Sequence, residues 1–197
     1  MKYYNKIRTN KLLITMVGLT IISFIIGLLF IALLDKTNQE LVIKSITSFF
    51  INIIQDNVIY SKALNTSLIN NLLVNTIIWV LGISIIGVPI VSVILFIKTF
   101  IVGFSFSSIV YTFHMKGIIT GLVYIFPHIL NIFVTFIMTY YSISFSILLY
   151  KYLFKKKDYN RLVITKRYLK LLLLSTVFLI VTSFIEVFVI PFIFQIL

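Results

Sequence analysis

The sequence predicts an all-α integral membrane protein with about five transmembrane helices. The chain of 197 residues is 60% hydrophobic and only 11% charged, whereas a soluble domain contains roughly 25% charged residues. Its apolar residues are concentrated in long runs, and a helix of about 20 apolar residues crosses roughly 30 Å of hydrocarbon. A chain of this kind accommodates several crossings and leaves little room for a soluble domain.

The first predicted helix covers residues 12–34, an apolar run without a charge. A secretory signal peptide has an apolar core of about 7 to 15 residues followed by small residues at a cleavage site. This run is longer, and it ends with Ile31-Ala32-Leu33-Leu34. We therefore interpret it as a retained anchor, with basic residues before it at Lys2, Lys6, Arg8 and Lys11.

Residues 35–71 are predicted to form the only sizeable loop, since acidic, basic and amide side chains are interspersed there among apolar ones. Between Leu41 and Ile54 the apolar residues recur every three or four positions. That spacing is typical of an amphipathic helix that lies on the membrane surface. We expect an amphipathic loop on the outer side.

Three further crossings are predicted, at 72–97, 99–113 and 129–150. Proline removes a backbone N–H donor and kinks a helix, so helix breaks are expected near Pro89 and Pro127. The apolar run 117–150 is too long for one crossing, which favours a break at Pro127-His128. Irregular backbone at that depth is tolerated only where protein or a cavity surrounds it.

The fifth helix is predicted at 171–194, after a basic loop at 151–170. This loop and the N-terminal segment hold most of the 17 basic residues, and Lys and Arg are in excess on the cytoplasmic side of membrane proteins. Five crossings put both segments in the cytoplasm and the C-terminus outside. The net charge of +12 therefore reflects topology, and no nucleic-acid partner is expected because no soluble face carries the charge.

Glu186 is the only acidic residue within a predicted helix. A charge inside the bilayer is costly, which implies a partner or protonation. His128 is predicted at a similar depth, so the two side chains can pair. The alternative is that each side chain reaches the interface separately.

Small and hydroxyl residues recur on one face of the fourth predicted helix. Such residues let helix backbones approach closely, so we expect a packing face and not a conduction path. The residues assigned to helix packing are Thr135, Thr139, Ser142, Ser146 and Gly87.

The sequence predicts no catalytic residue, no metal ligand and no cofactor. It contains no cysteine, and phosphate-loop, zinc-protease and glycine-serine nucleophile motifs are absent. The acidic residues of the loop have no accompanying histidine. We therefore expect a protein that is not an enzyme, while the two helix breaks leave open a small-molecule permease or the membrane subunit of a transport system.

Five short segments share their order with a known family. They are 71–72 (NL), 82–89 (GISIIGVP), 98–105 (KTFIVGFS), 126–128 (FPH) and 184–191 (FIEVFVIP). In this order they resemble the stage II sporulation protein M family of five-span membrane proteins. The chain departs from many members at Thr99, where they have glycine, and at Asn131 or Ile132, where they have a carboxylate.

The resemblance implies a role in engulfment, when the mother-cell membrane migrates around the forespore. Family members are thought to act as a membrane scaffold for the peptidoglycan hydrolases called stage II sporulation proteins D and P. It further implies a multi-pass protein of a bacterial plasma membrane, with lipids and these hydrolases as partners. The candidate structural or partner-binding residues are Lys98, Gly103, Pro127, His128, Glu186 and Pro191.

Overall fold

The computed structural model describes residues 2–55, 59–155 and 161–196, and these ranges are almost entirely helical, without a strand. The elements are α1 (Lys2–Leu33), α2 (Lys36–Ile54), α3 (Tyr60–Gly82), α4 (Gly87–Lys155), α5 (Arg161–Phe184), a π-helix (Ile185–Val189) and α6 (Ile190–Ile196). The predicted all-α class is confirmed.

Four stretches of the described chain are long and apolar enough to cross a membrane. They are Lys11–Leu33, Tyr60–Gly82, Gly87–Phe154 and Ile164–Phe194. The third is far longer than the roughly 30 Å of hydrocarbon requires. It therefore has to bend back or leave the membrane.

Helix α4 is a hairpin of two antiparallel arms that reverses at His114. This residue has φ 52° and ψ −126°, which is not helical. A β-carbon added to Gly117 would lie 2.6 Å from the carbonyl oxygen of Ile109, so the backbones touch just beyond the bend. We call residues 87–113 the first arm and residues 115–155 the second arm.

The helix break predicted at Pro127 is wrong. Pro127 is buried inside the second arm, and the helix continues through it. Proline in a membrane helix is tolerated where neighbouring helices surround the freed carbonyl. The reversal takes place instead at His114, where Gly117 allows the two arms to approach. The predicted crossing at 129–150 is thus part of a longer helix.

The break expected near Pro89 lies slightly earlier, at residues 83–86, between α3 and α4. Pro89 is in the first turn of α4, where a missing N–H loses no helical partner. The turn is tight, since a β-carbon on Gly87 would lie 3.0 Å from the Cα atom of Leu81. The structure therefore divides the predicted crossing 72–97 between α3 and the first arm, and residues 99–113 continue that arm.

The predicted outer loop, 35–71, contains α2 and the beginning of α3. Gln39 fixes the start of α2, because its amide donates to the carbonyl oxygens of Ile31 and Leu34, both at 3.1 Å. Phe50 and Ile53 are buried against the first arm and α6. The helix therefore lies across the end of α1 and the hairpin.

The basic loop predicted at 151–170 lies partly outside the described residues. Its described portions belong to the end of α4 and the beginning of α5. The crossing predicted at 171–194 corresponds to α5, the π-helix and α6, which follow one another without interruption.

Helix α1 packs against the first arm through two glycines. A β-carbon on Gly27 would overlap the carbonyl oxygen of Phe100 and lie 2.9 Å from the amide nitrogen of Phe104. Gly103, one of the candidate residues, faces the Phe24 carbonyl in the same way. Small residues give this close approach, which maximises dispersion contacts between the helices.

Candidate functional site

A line of polar side chains joins α3, the second arm and α5, and we call it the polar seam. Its interhelical hydrogen bonds run from Asn75 to Ser175 (2.8 Å), Thr182 to Asn131, Ser142 to the Ile78 carbonyl (2.9 Å), Ser146 to the Gly82 carbonyl (2.7 Å) and Tyr168 to the Trp79 carbonyl (2.8 Å). Bonds of this kind contribute to helix association in a bilayer.

The predicted packing face of the second arm lies along this seam. Ser142 and Ser146 donate to carbonyl groups of α3 and its C-terminal turn. Thr135 is buried and donates within its own helix, to the Asn131 carbonyl at 2.9 Å. Thr139 is also buried, and among the described residues its hydroxyl has no hydrogen-bond partner.

At one end of the seam stands a cluster around Glu186. The Ser67 hydroxyl donates to Glu186 Oε2 at 2.8 Å. Asn71 donates to the hydroxyl of Ser183 at 3.1 Å and to that of Ser67 at 3.4 Å. The carboxylate, which the sequence places inside a helix, is therefore bound by the beginning of α3, a segment that the sequence predicts as loop.

Glu186 lies on the π-helix, where the backbone is wider than in an α-helix. Pro191 follows closely and is buried. It has no N–H for the Val187 carbonyl, and a proline favours distortion on its N-terminal side. Single π-helical turns are frequent at functional sites, so this geometry makes Glu186 a candidate functional residue.

A cavity of about 740 Å³ surrounds the cluster. His128 and Glu186 line it together, as do Lys62 and Ser67 from α3. Lys98, on the first arm, is close enough to interact electrostatically with both Glu186 and His128. The structure thus brings together most of the sequence-selected residues, while Gly103 lies apart, against α1.

Two residues of this site, Lys62 and Ser67, were missed because the segment before residue 72 was interpreted as loop. Asn71 belongs to the segments that carry the family resemblance, but no site role was predicted for it. Ser67, Asn71 and Asn75 recur every four positions, which is the spacing of one helix face. That periodicity was the signal from which the early start of this helix could have been predicted.

A second cavity, of about 610 Å³, lies between α2 and the first arm and is mainly apolar. Phe49 and Tyr124 line both cavities, and their rings meet edge to face with centroids 5.9 Å apart. Tyr124 also packs against the His128 ring at 4.9 Å. The two cavities therefore adjoin at one aromatic contact beneath α2.

Within the described ranges, no group of three or more His, Cys, Asp or Glu side chains lies close enough together to hold a metal ion.

The long apolar helices and the polar seam between them define a multi-pass helical membrane protein. Comparison with protein families identifies the family, because the family model described as stage II sporulation protein M matches residues 16–191. The chain belongs to the stage II sporulation protein M family and is a sporulation-related membrane protein. No match was found among curated proteins or among solved structures.

Proposed function

We propose that this protein is a membrane scaffold that recruits or anchors peptidoglycan-degrading enzymes during forespore engulfment. Membership of the family supports a role in sporulation. The observation that carries the scaffold role is α2, an amphipathic helix held across the bundle with one side left open. A fixed exposed helix of this kind offers a docking surface.

The two sides of α2 differ in burial. Phe50 and Ile53 are buried against the bundle. The opposite side is exposed and mixes apolar and polar side chains: Thr37, Glu40, Leu41, Lys44, Ser48 and Ile51. Leu41 is 57% exposed and Ile51 45%. Apolar residues surrounded by polar ones are the usual composition of a protein–protein interface.

The proposal uses five crossings, formed by α1, α3, the two arms of α4 and the helix that continues from α5. The cytoplasm then contains the N-terminus and the basic segment near residues 151–170, as the excess of Lys and Arg on the cytoplasmic side requires. Helix α2 and the Glu186 cavity lie outside. In a bacterial plasma membrane this is the side on which peptidoglycan is found.

A scaffold needs no catalytic group of its own. The carboxylate Glu186 has a serine donor and nearby basic groups, and among the described residues no second carboxylate lines the cavity to form an acid–base pair. Hydrolytic chemistry is therefore assigned to the partners and not to this chain. The partners proposed are stage II sporulation proteins D and P.

The experiment is a crosslinking pull-down of the tagged chain from mid-sporulation membranes, read by mass spectrometry. The variant carries Glu40→Lys, Lys44→Glu and Ser48→Lys, which are all on the exposed side of α2 and line neither cavity beside this helix. Removing the whole of 35–71 would be less informative, because Ser67 is lost as well. We expect normal insertion and capture of hydrolases with large extracytoplasmic domains to fall at least tenfold.

The matched control changes Lys116→Glu and Ile119→Ser, which are exposed near the bend of the hairpin. This control should capture the hydrolases as the unchanged chain does. If the α2 variant also captures them normally, the docking surface is not α2 and the proposal fails.

The second candidate function is a small-molecule permease or the membrane subunit of a transport system. The polar cavity with a carboxylate on a π-helix favours it, since intramembrane ionisable groups mark transport pathways. Loss of solute flux in Glu186→Gln, with hydrolase capture unchanged, would support this candidate. A cytoplasmic ATPase or a solute-binding protein in the pull-down would do the same.

A further inference from the structure

We treat the two cavities beneath α2, one polar and one mainly apolar, as one composite site because they share two lining residues. They adjoin at the contact of Phe49 with Tyr124, and their volumes are about 740 Å³ and 610 Å³. Each volume is within the range of about 300 to 1,000 Å³ that ligand pockets occupy. A ligand that uses both parts must itself be amphipathic.

The polar part carries charges of both signs. The Ser67 hydroxyl donates to one oxygen of Glu186 at 2.8 Å. Lys98 and His128 lie nearby, but among the described residues no further hydrogen bond reaches this carboxylate, so its other oxygen can accept one from an ammonium group. Lys62 lines the same cavity and is exposed, at the beginning of α3. A phosphate beside Lys62 and an ammonium beside Glu186 would each make a charge-assisted hydrogen bond. The complementary headgroup is therefore zwitterionic.

The apolar part is lined mainly by aliphatic and aromatic side chains, including Val42, Ile46 and Phe104. Ser108 lines it too, is only 1% exposed, and its hydroxyl has no hydrogen-bond partner among the described residues. A buried hydroxyl without a partner is costly. An acceptor such as an ester carbonyl of the ligand would satisfy it.

The place of the site in the fold favours a lipid as the occupant. Helix α2 follows directly on the apolar stretch Lys11–Leu33 and covers both cavities. An amphipathic helix at the end of a crossing lies at the level of the lipid headgroups. The composite site is therefore found where the headgroup and first acyl carbons of a phospholipid are.

We infer that the composite site binds one phospholipid with an ammonium-bearing headgroup, as in phosphatidylethanolamine. The ammonium group contacts Glu186 and the phosphate contacts Lys62. An acyl chain occupies the apolar part, where Ser108 donates to an ester carbonyl. This binding goes beyond the scaffold role and does not depend on it.

The test uses the full chain, purified in detergent and freed of lipid, with binding followed by native mass spectrometry. The probes are phosphatidylethanolamine, phosphatidylglycerol and phosphatidylcholine with identical acyl chains. Phosphatidylglycerol has no ammonium group, and the quaternary ammonium of phosphatidylcholine has no N–H to donate. We expect at least tenfold tighter binding of phosphatidylethanolamine. Equal retention of the three would mean unselective boundary lipid and overturn the inference.

Two lysine variants separate the site from general surface charge. Lys62→Gln should weaken phosphatidylethanolamine binding about tenfold, or ~1.4 kcal/mol. Lys44→Gln is the matched control, since Lys44 is exposed on α2 and lines neither cavity. Because both lysine side chains are exposed, neither substitution should affect folding. Equal effects of the two variants would overturn the inference.

Two further measurements test the apolar part. Val42→Trp should fill that cavity and lower lipid binding at least fivefold, and if this variant does not fold, Lys62→Gln still decides the case. Glycerophosphoethanolamine, which carries the headgroup without acyl chains, should not displace the lipid at equal concentration. Displacement by it would show that the ligand is a soluble zwitterion and not a lipid.

Discussion

The two arms of the α4 hairpin pack against their neighbours in physically different ways. The first arm meets α1 through glycine backbones, with Gly27 against Phe100 and Gly103 against Phe24. The second arm meets α3 and α5 through hydroxyl and amide hydrogen bonds, such as that from Ser142 to the Ile78 carbonyl. The glycine interface holds two backbones in direct contact, whereas the polar seam opens at one end into the Glu186 cavity.

This difference indicates that the two interfaces have different roles, one in helix packing and one in polar interactions. In a bilayer the hydrophobic effect gives no drive for one helix to join another, so close packing and hydrogen bonds must supply the association. The glycine interface supplies the packing and is intolerant of change. We expect the polar seam to tolerate single losses, and the groups proposed to bind other molecules lie at its cavity end.

The largest expected effect is at the glycine interface. Gly27→Leu places a side chain into the backbone of the first arm, which must move away, so the cost should be about 3 kcal/mol or more. Gly18→Leu is the matched control, because nothing lies within 4 Å of a β-carbon there. Fluorescence-detected size exclusion should show loss of folded Gly27→Leu alone. Equal losses in both variants would contradict the close contact.

At the cavity end of the seam, we expect coupling between Ser67 and Glu186. A hydrogen bond to a charged group is worth up to about 1.5 kcal/mol in a membrane protein. In a double-mutant cycle, Ser67→Ala and Glu186→Gln should therefore cost clearly less together than the sum of the single losses. Additive losses in unfolding from detergent would show that the bond is absent.

The same cycle with His128→Gln examines the pairing expected from the sequence. His128 and Glu186 line one cavity, and the pairing hypothesis predicts that the double variant is no worse than either single variant. Additive losses would mean that each residue acts separately.

The bend between the two arms provides a prediction of opposite sign. His114 has a positive φ of 52°, which costs a non-glycine residue roughly 1 kcal/mol or more. His114→Gly should therefore stabilise the fold by about 1 kcal/mol, whereas Met115→Gly, in the adjoining helix, should destabilise it by a similar amount. Thermal unfolding of the two variants distinguishes them, and destabilisation by His114→Gly would contradict the bend.

The smallest effects are expected within the polar seam. Ser146→Ala removes a hydroxyl that donates to the Gly82 carbonyl at 2.7 Å, and an average bond of this kind is worth about 0.6 kcal/mol. Thr139→Val removes a buried hydroxyl for which the described residues offer no partner, so it should be neutral or slightly stabilising. If chemical unfolding shows that Ser146→Ala and Thr139→Val destabilise the protein equally, the hydrogen bond of Ser146 contributes nothing measurable.

Apolar run lengths and spacing were enough to predict the helical membrane class and the amphipathic helix at Leu41–Ile54. They were insufficient for the course of the chain between the crossings. Proline suggested a break at Pro127, but a proline surrounded by neighbouring helices is tolerated. The reversal occurs at His114, and its unusual backbone angles could not be predicted from the residue type. Hydropathy alone also mistook the beginning of α3 for a loop, because its polar residues face the Glu186 cluster.

The candidate residues on α4 and on the last helix could be predicted from the sequence. The contribution of the beginning of α3 to the site could not. Glu186, His128 and Lys98 stand out as charges or titratable groups within apolar runs. Ser67 and Lys62 do not, because they occur in a segment rich in polar residues. Which face of that segment turns inward depends on how α3 packs between the second arm and α5, and this is a property of the tertiary structure.

The scaffold proposal requires that α2 and the Glu186 cavity face the peptidoglycan side of the membrane. Since the chain has no cysteine, single cysteines can be placed at Ser48 on α2 and at Lys166 near the basic segment, both of which are exposed. A membrane-impermeant maleimide should label Ser48→Cys in intact cells and Lys166→Cys only after permeabilisation. Labelling of Lys166→Cys in intact cells, with Ser48→Cys protected, would put α2 in the cytoplasm and contradict the scaffold account.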